Sequence, residues 1–234
     1  MIGADAIIKC LEEEGVSTVF GYPGVAICPF FNSILDSDIK TVLIRTEQNA
    51  AHAASGVARM TGRPGVCAVT SGPGATNVIT GIATAFADSI PLICITGQVN
   101  SELLGSDVFQ EADITGAVAS VDVGKALESR PIADVGRGLQ GAVPGMNIVI
   151  PTGEVGSDPG RKGPVLIDIP IDIQNATIKN FHYPEEVNLR TYKPTVKGHA
   201  VQIKKVIREL EKAKRPIICA GGGVLLSEAE EELR

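Results

Sequence analysis

The chain has 234 residues, a net charge of −6 and a hydrophobic fraction of 44%, which is typical of a globular protein with one domain and part of another. Charges of both signs are scattered without a basic stripe, so we expect no nucleic-acid partner. No apolar run approaches the roughly 20 residues of a membrane helix and no signal peptide is recognisable, so we expect a cytoplasmic protein without a membrane contact. The five cysteines are odd in number and widely spaced, which argues against a disulfide framework or a zinc site.

Helical and strand-like patterns alternate along the first part of the chain. Apolar residues recur at helical spacing from Ala4 to Leu11, from Ala50 to Val57 and from Ala75 to Ile82. Short β-rich runs of strand length lie at 17–20, 42–44, 66–69, 92–95 and 165–169. This alternation predicts an α/β fold with a parallel sheet flanked by helices. Because the strands are apolar throughout rather than at every second residue, we expect helices on both faces of the sheet.

We assign residues 1–178 to this α/β domain, with one anomalous segment at 117–160. That segment is rich in Gly and Pro and keeps neither the helical nor the strand period for long. Such a composition borders on that of disordered sequence, so we predict poor order there.

The remainder of the chain predicts a linker and the beginning of a second domain. Residues 179–197 are polar, contain two prolines and are typical of a linker. Within 198–234, an amphipathic helix from Ile203 to Leu210 precedes an apolar run at 216–220 that predicts a strand. We therefore interpret 198–234 as the start of a truncated second α/β domain.

Small and polar residues follow several of the predicted strands. In chain order they are Tyr22-Pro23-Gly24, Glu47, the segment 71–77, and Phe109 with Gln110. Because the carboxyl ends of parallel strands meet at one edge of a sheet, we expect these residues to converge there.

Each of these features also has a simpler interpretation when it is considered singly. Glu47 at the start of a helix is most simply a residue that stabilises the helix dipole. The clusters Gly72-Pro73-Gly74 and Gly221 to Gly223 match neither phosphate-binding glycine motif, so each is more often a tight turn than a ligand loop.

Several motifs in order along the chain resemble one enzyme family. They are FGYPG at 20–24, RTEQNAAHAA at 45–54, VTSGPGATN at 69–77, DSIP at 88–91, TGQ at 96–98, FQE at 109–111 and GPVLIDIP at 163–170. In this order and at these separations they resemble the large subunit of acetolactate (acetohydroxyacid) synthases. The resemblance covers residues 1 to about 116 and 161–234.

The resemblance implies a thiamine-diphosphate-dependent transferase of branched-chain amino-acid biosynthesis. Such an enzyme decarboxylates pyruvate and condenses the product with a second 2-oxo acid, either pyruvate or 2-oxobutanoate. The implied cofactors are thiamine diphosphate, Mg²⁺ and an FAD that takes no part in net redox chemistry. The implied partners are further copies in a homodimer or tetramer, and a regulatory small subunit.

The same resemblance assigns roles to individual residues. Glu47 matches the carboxyl that hydrogen-bonds N1′ of the cofactor pyrimidine, and Phe109 and Gln110 match residues that face the thiazolium and the substrate. The other matched cofactor positions are Tyr22, Pro23, Thr70, Pro73 and Asn77 for thiamine diphosphate, and Gly221, Gly222 and Gly223 for FAD.

The chain also departs from the family pattern. Gly24-Val25 stands where two glycines are usual, Thr46 stands where His is usual, and 117–160 shows no resemblance. No Gly-Asp-Gly with a downstream Asn occurs, so we assign no metal ligand and expect this chain alone to be inactive. Two alternatives stay open. One is another thiamine-diphosphate decarboxylase or carboligase, such as an oxalyl-CoA decarboxylase or glyoxylate carboligase; the other is a non-catalytic fragment.

Overall fold

A computed structural model describes residues 1–114, 147–149, 163–184, 198–221, 224 and 229–233. The chain divides into two compact units, 1–192 and 193–234. Of the anomalous segment 117–160, only a short strand at 147–149 belongs to the described residues. Residues 185–197 of the predicted linker, together with Gly222 and Gly223, also lie outside them.

The described elements follow the alternation that the sequence predicts. The helices are α1 (Gly3–Glu13), α2 (Cys28–Ser33), α3 (Glu47–Thr61), α4 (Pro73–Asn77), α5 (Ile79–Ala87), α6 (Ile171–Asn175), α7 (Ala200–Lys212) and α8 (Glu230–Leu233). The strands are β1 (Thr18–Tyr22), β2 (Lys40–Leu43), β3 (Gly65–Val69), β4 (Leu92–Gln98), β5 (Asn147–Val149) and β6 (Pro164–Pro170). Short 3-10 helices cover Val25–Ile27, Ile34–Asp36 and Ser101–Leu103.

The six described strands form one sheet in the order β2-β1-β3-β4-β6-β5. All neighbouring pairs are parallel except β5 with β6 at one end, which is antiparallel. The predicted parallel sheet is thereby confirmed for its five long strands. The predicted helix from Ala75 to Ile82 divides into α4 and α5 at Val78, whose N–H bonds the carbonyl of Ala75, three residues back.

Apolar residues cover both faces of the sheet, as the continuous apolarity of the strands predicts. In β3, Cys67 and Val69 pack under α3 and α5, and Val66 and Ala68 pack on the opposite face with α1 and α2. All five residues of β3 are buried, which makes it a central strand. The rigid centre of the sheet therefore ends at Val69, directly before the segment 70–77.

The second unit contains the predicted amphipathic helix, α7, but not the predicted strand. Residues 216–220 carry no strand assignment, and the side chain of Ile217 is 90% exposed. A strand requires hydrogen bonds from a neighbouring strand, and the described residues of this unit offer none. The prediction of a strand at 216–220 is therefore wrong for this structure. None of the described helices has the length and apolarity needed to cross a membrane.

Candidate functional site

The small and polar residues after β1, β2, β3 and β4 converge at the carboxyl edge of the sheet, as the sequence predicts. Tyr22 ends β1, Glu47 begins α3 shortly after β2, and Thr70 follows β3 directly. In-register pairing of β1 with both β2 and β3 brings these three ends side by side. The crevice outside the carboxyl ends of parallel strands is the usual ligand position in this architecture.

A hydrogen bond joins two of the predicted site residues across 30 positions of sequence. The amide Nδ2 of Asn77, at the end of α4, donates to Oε2 of Glu47 at 3.0 Å. Within the described part of the chain, Oε1 of Glu47 accepts no hydrogen bond, and the side chain is half-buried. Asn77 thus fixes one carboxylate oxygen and leaves the second available to a ligand.

Gly24 and Gly74 pack their backbones closely against the side chain of Thr70, and Gly74 also lies close to Glu47. A Cβ atom at Gly74 would lie 2.7 Å from Cγ2 of Thr70 and 3.3 Å from Oε1 of Glu47. A Cβ atom at Gly24 would lie 2.5 Å from Cβ of Thr70. A larger residue at either position would displace Thr70, and one at Gly74 would also crowd Oε1 of Glu47. Val25, which stands where the family pattern has a second glycine, is 75% exposed.

Two hydroxyls at this edge are buried without a partner. Oγ1 of Thr70 and Oγ of Ser71 find no hydrogen-bond partner among the described residues. Buried polar atoms are nearly always satisfied, because an unpaired one costs about 1–3 kcal/mol. An unpaired hydroxyl beside Glu47 indicates a position where a polar ligand group or an ordered water completes the site.

Phe109 and Gln110 lie in a loop that reaches the same region. A Cβ atom at Gly72 would lie 2.8 Å from the carbonyl oxygen of Gln110, and Gly72 itself has φ +59°. Gln110 also has a positive φ, of 61°, which is uncommon outside glycine and is concentrated at functional positions. The ring of Phe109 is 87% exposed. The loop backbone therefore rests on the turn at Gly72 and presents an unpacked aromatic side chain.

The remaining predicted positions differ in how firmly the structure brings them to the site. Tyr22 and Pro23 lie at the same edge with exposed side chains, and Pro73 is exposed at the start of α4. Gly221 is exposed in the second unit, where a Cβ atom would meet no atom within 4 Å. In the parts of the chain that the structure describes, no group of three or more His, Cys, Asp or Glu side chains could hold a metal ion.

Sequence reasoning missed a buried polar network beside this site. The carboxylate of Asp168 in β6 accepts a hydrogen bond from Thr96 Oγ1 at 2.6 Å and one from Gln98 Nε2 at 3.2 Å, both in β4. Burial raises the pKa of Asp168 to about 6, although these two hydrogen bonds lower it and the nearby Asp113 raises it further. The available signal was one charged residue within the apolar run of β6, inside a family motif but without a role assigned to it.

This edge of the sheet can therefore accept a hydrogen bond from a polar ligand at Oε1 of Glu47. Glu47 offers a carboxylate oxygen, Thr70 offers a hydroxyl, and the glycine backbones allow close approach. A half-buried carboxylate is a good acceptor for a ring N–H and can share that proton.

The comparison with protein families matches one model over half of the chain. Residues 1–117 match the thiamine pyrophosphate enzyme family through its N-terminal TPP binding domain. The match contains β1 to β4 and the edge cluster, which comprises the residues described above at the carboxyl edge of the sheet: Tyr22, Pro23, Gly24, Glu47, Thr70, Ser71, Gly74, Asn77, Phe109 and Gln110. It ends near the start of the anomalous segment.

Curated proteins of similar sequence extend the likeness over the whole chain. A probable acetolactate synthase large subunit of Methanocaldococcus jannaschii is 46% identical over all of this chain and 38% of its own length. The acetolactate synthase large subunits of Corynebacterium glutamicum and Haemophilus influenzae are each 45% identical, over 100% and 99% of this chain. The chain covers 36% and 39% of these two relatives, so it spans less than two fifths of each protein. These alignments run through 117–160, the segment in which the motifs show no resemblance.

Proposed function

Because the chain belongs to the thiamine pyrophosphate enzymes through its N-terminal TPP-binding domain, we propose that its edge cluster binds the aminopyrimidine of thiamine diphosphate. In this proposal the free oxygen of Glu47 hydrogen-bonds N1′ and holds a proton there, while Asn77 orients the carboxylate. The unpaired hydroxyl of Thr70 and the close backbones of Gly24 and Gly74 support the fit of a flat polar ring.

The proposed activity of the whole protein is that of an acetolactate synthase large subunit. When bound, thiamine diphosphate supplies a nucleophilic carbon that adds to a 2-oxo acid and allows its decarboxylation. Glu47 would hold the proton that this chemistry requires at N1′, and the Phe109–Gln110 loop would shield the reacting carbon from water. The proposed substrates are pyruvate and a second 2-oxo acid, pyruvate or 2-oxobutanoate, in branched-chain amino-acid biosynthesis.

Further assignments rest on the named relatives and on the family resemblance. We propose a regulatory small subunit as partner, because the relatives are named large subunits, and a homodimer or tetramer in the cytoplasm. Mg²⁺ and FAD belong to the same proposal. The described residues offer no three-residue metal cluster, and Gly221 offers no cradle for a flavin nucleotide, so we derive no step through either group.

The hydrogen-bonded pair of Glu47 and Asn77, beside the unpaired Thr70, is the observation that carries the proposal. The test is acetolactate formation from pyruvate by the whole protein with Glu47→Gln. Gln keeps the size of the side chain but cannot hold the proton, so we expect kcat to fall by about 100-fold or more. The matched control is Glu12→Gln, the same change on an exposed carboxylate of α1. A Glu47→Gln enzyme within a few-fold of the control would refute the role of Glu47, and consumption of oxalyl-CoA or glyoxylate instead of pyruvate would refute the substrate class.

A further inference from the structure

The buried network of Thr96, Gln98 and Asp168 does more than satisfy its own polar groups, because one of its members reaches the loop that carries Phe109 and Gln110. Nε2 of Gln98 donates to the carbonyl oxygen of Ala112 at 3.0 Å as well as to Asp168. Oε1 of the same side chain accepts from the N–H of Val99 at 3.0 Å. Gln98 is 3% exposed and Asp168 is 3% exposed, so water has little access to replace either partner.

The orientation of the Gln98 amide is set by what its neighbours can accept and donate. The ionised carboxylate of Asp168 and the carbonyl of Ala112 only accept, and the N–H of Val99 only donates. The NH₂ end of Gln98 must therefore face Asp168 and Ala112, and its oxygen must face Val99. Asp168 is the charged member of this set, and hydrogen bonds to charged groups are the stronger ones.

The loop from Val108 to Ile114 is held together by a few bonds of its own. Oε2 of Glu111 accepts from the N–H of Val108 at 3.2 Å, and its other oxygen accepts from the N–H of Gly105. Ile114 is buried in the core, which anchors the far end of the loop. Between Val108 and Ile114, the loop contacts the elements of the sheet edge in two places. The carbonyl of Ala112 accepts a hydrogen bond from Gln98, and the backbone of Gln110 lies close to Gly72.

We propose that Asp168 is a positioning residue: its carboxylate locks the orientation of the Gln98 amide, and Gln98 in turn holds the Phe109–Gln110 loop against the turn at Gly72. That this loop borders a thiamine site rests on the proposed function, whereas the loop geometry does not. In Asp168→Asn, the new amide can place its NH₂ group on the hydroxyl of Thr96, which can also accept, and its oxygen on Nε2 of Gln98. The acceptor of Gln98 is then neutral, so the hydrogen bond that orients Gln98 loses the strength that the charge gives it.

The charged and titratable groups around Asp168 are few among the described residues. Asp113 from the loop itself and Cys94 from β4 are the ones that interact with it electrostatically. Asn147 of β5 is the residue paired with Asp168 across the antiparallel strand. None of these described groups supplies a positive charge, so within the described part of the chain the carboxylate of Asp168 is stabilised by its hydrogen bonds from Thr96 and Gln98.

The test is amide hydrogen exchange of the ligand-free chain, read on peptides that cover 105–114 at a pH well above the pKa of Asp168. We expect exchange there to be about tenfold faster in Asp168→Asn than in the wild type, which corresponds to about 1.4 kcal/mol. Gln98→Met removes the link to Ala112 with little change of volume, and we expect the same acceleration. The double variant should exchange no faster than either single one, because both changes break one path.

Thr96→Val is the matched control, because it removes the other hydrogen bond of Asp168 and keeps the branched shape. We expect it to lower global stability while the loop peptides keep wild-type exchange. Loop exchange in Asp168→Asn and Gln98→Met equal to that of Thr96→Val would overturn the proposal, because the network would then be only a source of stability.

A second arm of the experiment adds thiamine. If thiamine fails to protect any peptide of the wild type while the loop still loosens in Asp168→Asn, the proposed function fails and the positioning role stands.

Discussion

The buried carboxylate of Asp168 predicts a distinctive dependence of stability on pH. Its pKa is raised from 3.8 to about 6 in the folded chain, mainly by burial, and in the unfolded chain it returns to the ordinary value. The folded state therefore binds this proton more tightly than the unfolded state does. The stabilisation that results is fully present below pH 3.8 and is lost as the pH rises through about 6.

The magnitude follows from the two pKa values. The difference between about 6 and 3.8 is about two pH units, and at 1.36 kcal/mol per unit it amounts to about 3 kcal/mol. Asp168→Asn keeps the shape of the side chain but cannot ionise. Its free energy of unfolding therefore does not fall at this position as the pH rises through about 6. Other carboxylates, such as Asp5 and Asp172, whose pKa values are lowered by their hydrogen bonds with Ser33 and Ser101, titrate equally in both proteins and cancel in the comparison.

The assay is urea unfolding of both proteins at several pH values between 4 and 7, followed by tyrosine fluorescence. The chain has no Trp, and its three tyrosines, Tyr22, Tyr183 and Tyr192, all belong to the unit 1–192, so the signal reports that unit. At pH 4 the unfolded carboxyl is already partly ionised, so we expect the stability of Asp168→Asn relative to the wild type to rise by about 2 kcal/mol from pH 4 to pH 7. A difference that stays constant across this range would show that Asp168 titrates normally and that the network does not bury a charge.

Two further predictions concern packing and surface charge. Gly97→Ala would place a Cβ atom 2.3 Å from the carbonyl oxygen of Ala26, so we expect it to lower the free energy of unfolding by several kcal/mol. Gly56→Ala, in the middle of α3, meets nothing within 4 Å and should raise the free energy of unfolding by about 0.5–1 kcal/mol. Thermal unfolding of the two variants distinguishes a close contact at Gly97 from a general intolerance of alanine. The ion pair between Arg59 and Asp88 lies on the surface, so Asp88→Asn should lower the free energy of unfolding by at most about 1 kcal/mol at low salt. Salt screens exposed charges, so a loss of stability that persists at high salt would contradict the solvent exposure of this pair.

Much of the fold was predictable because the signals are local. The apolar runs of β3 and β4 and the small-residue face of α3 each lie within one segment of sequence, and the structure confirms them. The break of the predicted third helix at Val78 was not visible, because Ala75, Val78, Ile79 and Ile82 keep helical spacing through it. The run at 216–220 has the composition of a strand but no neighbour to pair with among the described residues, and composition alone cannot supply one.

The candidate site was likewise only partly predictable from the sequence. The convergence of Glu47 with the 71–77 segment was predictable, because parallel strands bring their carboxyl ends together whatever their separation in sequence. The bond between Thr96 and Asp168 joins residues 72 positions apart, and only the register of β4 against β6 reveals that they are opposite one another. A single Asp in an apolar strand indicates a buried partner without indicating which residue that partner is.

The most direct test of the central claim is thiamine binding to this chain, measured by calorimetry for the wild type, Glu47→Gln and the control Glu12→Gln. We place the pyrimidine against the free oxygen of Glu47, beside Thr70 and Gly74. Loss of a charged hydrogen-bond partner costs about 1.5–3 kcal/mol, so we expect thiamine to bind Glu47→Gln more than tenfold less tightly than the other two proteins. Equal affinity of all three proteins for thiamine would contradict the claim that Glu47 anchors the pyrimidine.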